Sequence, residues 1–72
     1  MPKELTWDDA EQIGIRLSEK HPEADPLALG FTELHRYVTE LSEFKDDPRK
    51  SDAGRLEAIQ MAWHAEFLDR TQ

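Results

Sequence analysis

The sequence predicts a mainly α fold, a small single domain of three helices that covers residues 1–72. Three observations predict it. Apolar residues recur at helical spacing in three separate stretches. A capping residue precedes each stretch, and a proline follows each of the first two. No stretch shows the alternation of apolar and polar residues that is typical of a half-buried strand.

The first predicted helix begins at Thr6, which can cap it, and ends one or two residues before Pro22. It ends there because proline disfavours helical geometry at the preceding residue. Four residues form its apolar stripe: Ala10, Ile13, Gly14 and Leu17. We expect residues 1–5 to form a loose arm that Leu5 tethers to the core.

A single turn is predicted between the first two helices. Asp25 caps it and Pro26 takes its first position, where the missing N–H of proline would have no helical partner anyway. Leu27 and Leu29 are predicted to anchor this turn to the core. Gly30 then lets the chain change direction before the second helix.

The second predicted helix covers about residues 33–42, with Thr32 as its cap. Its buried stripe consists of Leu34, Val38 and Leu41. We expect Tyr37 at the boundary of the core, and Phe44 to fold back onto the core after the helix ends. Residues 45–48, Lys-Asp-Asp-Pro, then form a solvated turn, because aspartate and proline both favour turns.

The third predicted helix covers about residues 53–69, and either Ser51 or Asp52 caps it. Its stripe consists of Leu56, Ile59, Trp63 and Phe67. Any β structure is limited to a few residues around Leu29–Phe31 or Phe44, because no other stretch has a strand-like composition.

The chain is acidic along its whole length. Its net charge is −7 at pH 7, from nine Lys and Arg residues against sixteen Asp and Glu residues. Residues 1–36 carry −4 and residues 37–72 carry −3, so the charge is not confined to a tail. Such a surface repels phosphate backbones and favours cations and basic protein surfaces as partners.

Composition also limits the chemistry. The sequence contains no cysteine, which excludes a disulfide, a thiolate nucleophile and a cysteine-ligated zinc or iron–sulphur site built from this chain alone. It has no signal-peptide pattern and no apolar run near the roughly 20 residues that a membrane span needs. We therefore expect a soluble, cytoplasmic protein that binds no membrane.

Three helices with short connectors form the outline of a helix-turn-helix or winged-helix domain. Such domains usually bind DNA, which would make this chain a winged-helix nucleic-acid-binding protein. The charge argues against that function, because the second helix is rich in acids and the third has only two permanent cations. We expect no nucleic acid among the partners. A small acidic domain with an unrelated protein partner is a further alternative.

No catalytic constellation is recognisable in the sequence. The three histidines, His21, His35 and His64, lie far apart. None of them has a serine at a spacing typical of a nucleophile and its base. The sequence therefore predicts that this protein is not an enzyme.

The carboxylates around the second helix form the candidate site. They are Glu33, Glu40, Glu43, Asp46 and Asp47. Oxygen ligands of this kind suit hard cations, including Mg²⁺, Ca²⁺, Mn²⁺ and iron. The residues alone leave two interpretations open, a weak cation site and an ordinary solvated acidic face. His35 lies close by in the sequence and is either a further ligand or a residue that faces the core.

One long pattern carries a family resemblance. Residues 31–48 read FTELHRYVTELSEFKDDP, which fits FTxLHxxVxxLxxFxDDP, and LEAI at residues 56–59 is followed by Trp63. Trp7 and Ile13 continue the pattern at the start of the chain. On these residues the chain strongly resembles the IscX family, small acidic accessory proteins of bacterial iron–sulphur cluster assembly. The resemblance covers nearly the whole chain.

The resemblance implies a fold and a function. The family fold is a modified winged helix, and members bind the cysteine desulfurase of the assembly machinery through an acidic surface. That surface faces a basic patch of the enzyme to which frataxin and ferredoxin also bind. The resemblance therefore implies competition with both proteins. Members also bind ferrous or ferric iron weakly through exposed carboxylates, so no tightly bound cofactor is expected. We expect a monomeric adaptor that regulates the desulfurase.

Carried over onto this sequence, the family pattern assigns five acids to iron. They are Glu33, Glu40, Glu43, Asp46 and Asp47. The implied desulfurase-binding set consists of the same five acids and Tyr37. Lys45 stands where an aspartate is common in the family, which should weaken cation binding in the loop. The sequence therefore favours a partner-docking surface over a strong metal site.

Overall fold

The computed structural model describes residues 4–71 and contains three helices in that range. α1 spans Ala10–Lys20, α2 spans Phe31–Thr39 and α3 spans Ala53–Thr71. A 3₁₀ turn at Pro26–Ala28 connects α1 to α2, and a second 3₁₀ turn at Pro48–Lys50 precedes α3. The mainly α fold of three helices predicted from the sequence is confirmed.

The apolar stripes of the three helices meet in one core. The buried stripe residues are Ile13, Leu17, Leu34, Val38, Leu41, Leu56, Ile59 and Trp63. Phe44 folds back onto this core and Tyr37 packs at its edge, as the sequence predicted. Phe67, the last residue of the α3 stripe, is half-buried.

α1 and α3 form the largest helix contact, and Gly14 lies where they cross. A Cβ atom built on Gly14 would lie 2.7 Å from the backbone nitrogen of Trp63 and 2.8 Å from the Cβ of Ala62. Both distances are shorter than the contacts that Cβ atoms form in packed protein interiors. The two helices therefore approach this closely because Gly14 has no side chain.

α1 begins at Ala10 and not at Thr6. Residues 6–9 form a separate turn, in which Thr6 donates its backbone N–H to Asp9 Oδ2 at 3.0 Å and its hydroxyl to the same oxygen at 3.3 Å. The capping chemistry expected at Thr6 is thus used within this turn. α2 begins at Phe31, one residue after the extended Gly30, so the prediction of Thr32 as its cap is wrong.

α2 ends at Thr39, three residues before the predicted end at Ser42. Leu5 pairs with the chain just beyond this end. Its N–H donates to the Glu43 carbonyl at 2.8 Å, and its carbonyl accepts from the N–H of Lys45 at 2.8 Å. These two bonds place Phe44 in an extended pairing with Leu5.

The Leu5–Phe44 pair is an isolated parallel bridge, and residues 4–71 contain no strand. The β structure expected around Phe44 is this bridge, whereas none forms at residues 29–31. The winged-helix detail is therefore not confirmed. Leu5 is 2% exposed, which confirms it as the tether of the N-terminal arm, although residues 1–3 of that arm lie outside the described range. None of the three helices is long and apolar enough to cross a bilayer, as far as residues 4–71 are concerned.

The first 3₁₀ turn forms as predicted, because Asp25 Oδ1 accepts from the N–H of Leu27 at 3.0 Å. The prediction that Leu27 anchors this turn is wrong, since that residue is 54% exposed. Pro26 is buried instead, and its carbonyl accepts a hydrogen bond from the Gln60 side chain of α3 at 3.0 Å. Leu29 packs against the core, as expected.

Candidate functional site

Trp7 fixes the middle of the loop between α2 and α3. Its backbone N–H donates to Asp46 Oδ2 at 3.2 Å, and its indole Nε1 donates to the Asp47 carbonyl at 2.7 Å. We call these two hydrogen bonds the Trp7 clamp. Trp7 is 2% exposed, and its indole packs edge-on against Phe44 with ring centroids 4.7 Å apart. The loop is therefore tied to the N-terminal segment and to the core.

His35 fixes the next part of the same loop. Its Nε2 lies 2.6 Å from the Pro48 carbonyl oxygen, and because that oxygen only accepts, Nε2 donates. The imidazole also stacks on the indole of Trp7, with ring centroids 5.4 Å apart and planes 28° from parallel. The sequence left His35 open between a ligand and a residue facing the core. In the structure its Nε2 is hydrogen-bonded to the backbone of the loop.

The carboxylates of Asp46 and Asp47 hold the loop together. Asp46 Oδ1 accepts from the N–H of Asp47 at 2.7 Å, and Asp47 Oδ1 accepts from the N–H and Nε of Arg49 at 2.9 and 3.3 Å. The backbone hydrogen bond from Arg49 and then its side chain lower the pKa of Asp47. Both aspartates are half-buried, so the turn is less solvated than predicted.

Glu43 points toward α1. Its Oε1 accepts from the Ser42 hydroxyl at 3.0 Å, and its Oε2 lies 3.6 Å from Arg16 Nε. The pKa of Glu43 is lowered first by a hydrogen bond from its own backbone N–H and then by the Ser42 hydroxyl. The positive charges of Lys20 and Arg16 lower it further. Part of the charge of this carboxylate is therefore compensated within the chain.

Glu33 and Glu40 are different, because both are exposed. Neither carboxylate forms a hydrogen bond or an ion pair with any residue in the part of the chain that the structure describes. Glu40 follows the last residue of α2 but keeps helical backbone angles, φ −81° and ψ −11°. Seven positions separate the two, which places them on one side of the helix, about 10 Å apart along its axis.

Arg36 and Tyr37 lie between these two acids. The guanidinium carbon of Arg36 is 5.7 Å from the centroid of the Tyr37 ring. That ring is half-buried and packs edge-on against Trp63 with centroids 6.0 Å apart, and it lies 4.6 Å from the ring of His21. We call the surface formed by Glu33, Arg36, Tyr37 and Glu40 the α2 face. It presents two free carboxylates beside an aromatic edge that the core holds in place.

The predicted site residues therefore fall into two groups. Glu33, Tyr37 and Glu40 share the α2 face, whereas Glu43, Asp46 and Asp47 are engaged in contacts that shape the loop. Among residues 4–71, no group of three or more histidine, aspartate or glutamate side chains is arranged to hold a metal ion. The donors are oxygen ligands of the kind that iron accepts, but they do not form a preassembled iron site.

Sequence reasoning missed the loop-holding roles of Trp7 and Arg49. The role of Arg49 was readable, because Asp47-Pro48 repeats the pattern of Asp25-Pro26, and each aspartate caps a 3₁₀ turn through the N–H two residues later. The role of Trp7 was not readable, since no local pattern indicates which distant backbone carbonyl its indole N–H will meet.

Comparison with known proteins places the chain in a family. The family model described as iron-sulphur cluster assembly matches residues 5–68. This chain belongs to the iron–sulphur cluster assembly family. The resemblance to the IscX family seen in the sequence is thereby confirmed. The family match includes every predicted site residue. It covers α1 and α2 completely and α3 up to residue 68.

A protein of Pseudomonas aeruginosa is a relative within the iron–sulphur cluster assembly family. It is 51% identical to this chain over 59 residues, which cover 82% of this chain and 89% of the relative. That relative is described as uncharacterized, so it adds no function of its own to the family assignment.

Proposed function

We propose that this chain is a non-enzymatic adaptor of iron–sulphur cluster assembly that docks on the cysteine desulfurase in the cytoplasm. Membership of an accessory family of cluster assembly supports a place in that pathway. The net charge of −7 supports a basic partner surface and argues against a nucleic acid. The regulated step is the supply of sulphur by the partner, and this chain itself carries out no chemistry.

The observation that carries this proposal is the pair of exposed, unpaired acids on the α2 face. A carboxylate without an internal ion pair helps to steer a basic surface and can pair with an incoming cation without breaking a contact. Tyr37 adds an aromatic contact whose position is already fixed by Trp63 and His21. Ordered aromatic residues of this kind are frequent at the centre of protein interfaces.

Charge reversal of Glu33 and Glu40 tests the docking surface. The double variant Glu33→Lys, Glu40→Lys is titrated against the cysteine desulfurase by calorimetry, beside the control Glu23→Lys, Glu57→Lys. All four residues are exposed, and both variants change the net charge equally. We expect a loss of affinity of at least about tenfold for the first variant and a much smaller loss for the control. Equal losses would show that the affinity depends on net charge alone, and would contradict the α2 face as the docking surface.

We further propose that iron binds weakly and transiently at the exposed carboxylates and modulates the docking. Binding at Asp46 or Asp47 would compete with the Trp7 clamp and with Arg49, so Glu33 and Glu40 are the favoured contacts. An NMR titration with ferrous iron should broaden the amides of Glu33 and Glu40 first. Broadening confined to the three histidines would contradict this assignment. Desulfurase activity, measured with and without the chain at several iron concentrations, then tells whether iron alters the effect of the adaptor.

A further inference from the structure

A groove between α1 and α3 lies outside the candidate site. Its volume is about 270 Å³. The residues that line it are Glu11, Ile15, Ala62, Ala65, Glu66 and Asp69. None of the residues predicted to bind the desulfurase or iron lines this groove. On α3 the lining residues stand at positions i, i+3, i+4 and i+7, so they form one continuous side of that helix.

The groove combines an apolar floor with an acidic rim. Ile15 of α1 and Ala62 of α3 are half-buried, and with Ala65 they provide an apolar surface between the two helices. The three remaining lining residues are carboxylates, two of them from α3 and one from α1. No lysine, arginine or histidine lines the groove.

The carboxylates of the rim are not compensated by the described part of the chain. None of the side chains of Glu11, Glu66 and Asp69 has a hydrogen bond or an ion pair with it. The two arginines nearest in sequence are engaged elsewhere. Arg16 pairs with Glu19 at 3.0 Å and lies 3.6 Å from Glu43, and the Nε of Arg70 donates to the Ser18 hydroxyl at 2.5 Å.

We propose that this groove docks an arginine-bearing segment of a basic, amphipathic partner protein. The aliphatic part of an arginine can cover the apolar floor while its guanidinium reaches the carboxylates of the rim. Arginine suits the site better than lysine, because its planar head can donate to two carboxylates at once. This docking surface goes beyond the α2 face and does not depend on it.

Two other occupants fit the groove less well. A metal ion would need ligands that converge, and residues 4–71 contain no group of three acids or histidines arranged to hold one. A second copy of this chain would bring another −7 of charge to an already acidic surface. Charge complementarity therefore favours a basic partner over either of these.

The test uses the blocked peptide acetyl-Leu-Arg-Ala-Leu-Arg-amide and the whole chain, followed by amide NMR shifts at low salt. We expect saturable shifts at Ile15, Ala62 and Ala65. The same peptide with citrulline in place of both arginines keeps the shape and removes the charge. It should bind at least about tenfold more weakly, because exposed ion pairs that act together supply much of the affinity.

A matched pair of variants assigns the site. Glu11→Gln, Glu66→Gln and Asp69→Asn together neutralise the rim and should weaken peptide binding by about tenfold. Glu4→Gln, Glu23→Gln and Glu57→Gln together make the same change in net charge at exposed positions elsewhere and should weaken it less than about threefold. All of these residues except the half-buried Glu66 are exposed, and circular dichroism checks that both variants stay folded.

Several outcomes would overturn the proposal. They are an absence of saturable shifts at the groove, equal binding of the citrulline peptide, or equal losses in the two variants. Saturation of the same amides by Mg²⁺ or Ca²⁺ alone would make the groove a cation site instead. Loss of peptide binding in the Glu33→Lys, Glu40→Lys variant, with binding kept in the rim variant, would move the segment to the α2 face.

Discussion

Gly14 and Gly54 are both helical glycines, and their surroundings differ. A Cβ on Gly14 would lie 2.7 Å from a backbone atom of α3, which is fixed by its own helix. A Cβ on Gly54 would find Asp52 Oδ1 at 3.5 Å as its nearest neighbour, which is an ordinary contact. The same substitution therefore has opposite consequences at the two positions.

Gly14→Ala is expected to destabilise the protein by about 1–3 kcal/mol, because the added methyl forces α1 and α3 apart. Gly54→Ala is expected to stabilise it by up to about 1 kcal/mol, since alanine favours the helix and the methyl has room. Urea unfolding followed by circular dichroism measures both free energies of unfolding. Stabilisation by Gly14→Ala would contradict the close helix crossing.

The importance of Gly14 could be predicted only in part from the sequence. Its position in the apolar stripe of α1 indicated that it faces the core. The sequence could not show that the backbone of Trp63 would lie against it, because the two residues are far apart in the chain. The same limit applies to Trp7, whose indole N–H meets a carbonyl that no local pattern selects.

At the scale of the elements, the structure shows which residue caps α3. The sequence left this open between Ser51 and Asp52. The Asp52 carbonyl accepts from the N–H of Leu56 at 3.0 Å, and its Oδ1 accepts from the N–H of Arg55 at 2.7 Å. Asp52 is therefore the capping residue. Arg55 also reaches Asp8 at 3.0 Å, which links this cap to the turn before α1.

Asp52→Ala is expected to lower the free energy of unfolding by about 1 kcal/mol, because the first turn of α3 loses its cap. Ser51→Ala is the control and should change it by less than about 0.5 kcal/mol, since Ser51 holds no cap bond in the described chain. Thermal unfolding of both variants checks the difference. A larger effect from Ser51→Ala would show that Ser51, and not Asp52, caps α3.

The existence and the buried sides of all three helices could be predicted, because apolar periodicity reports them locally. The end of α2 could not. No proline or glycine lies between Glu40 and Lys45, so nothing in the sequence stops the helix. Beyond this end, the backbone of Leu5 pairs with Glu43 and Lys45, a contact between distant parts of the chain that no local pattern predicts. As a result Glu43 leaves the α2 face, which reduces the predicted set of free acids.

At the scale of the whole molecule, the fold is a thin slab of 34 × 30 × 16 Å. Every helix therefore keeps an exposed side. This thinness lets one small domain present two separate acidic surfaces, the α2 face and the groove between α1 and α3.

Acid is expected to destabilise the whole molecule. Hydrogen bonds and nearby cations lower the pKa values of Glu43, Asp47 and Asp52 in the folded chain below their ordinary values of 4.5, 3.8 and 3.8. The unfolded chain therefore binds protons first as pH falls. Stability from these groups is present above about pH 4.5 and is lost as pH falls through the lowered values.

The melting temperature, measured from about pH 6 down to about pH 3, checks this dependence. The double variant Asp47→Asn, Asp52→Asn removes two of the three titrating groups and should flatten the curve. An unchanged slope in that variant would show that other carboxyls control the acid sensitivity.

The Trp7 clamp also gives the protein an optical reporter. Indole fluorescence depends on the surroundings of the ring, and the Nε1 of Trp7 is bonded to the Asp47 carbonyl in the centre of the acidic loop. In a Trp63→Phe background the emission comes from this one indole. A ligand that rearranges the loop between α2 and α3 would then shift the emission maximum. A ligand that stays on the α2 face or in the α1–α3 groove would leave the emission maximum unchanged.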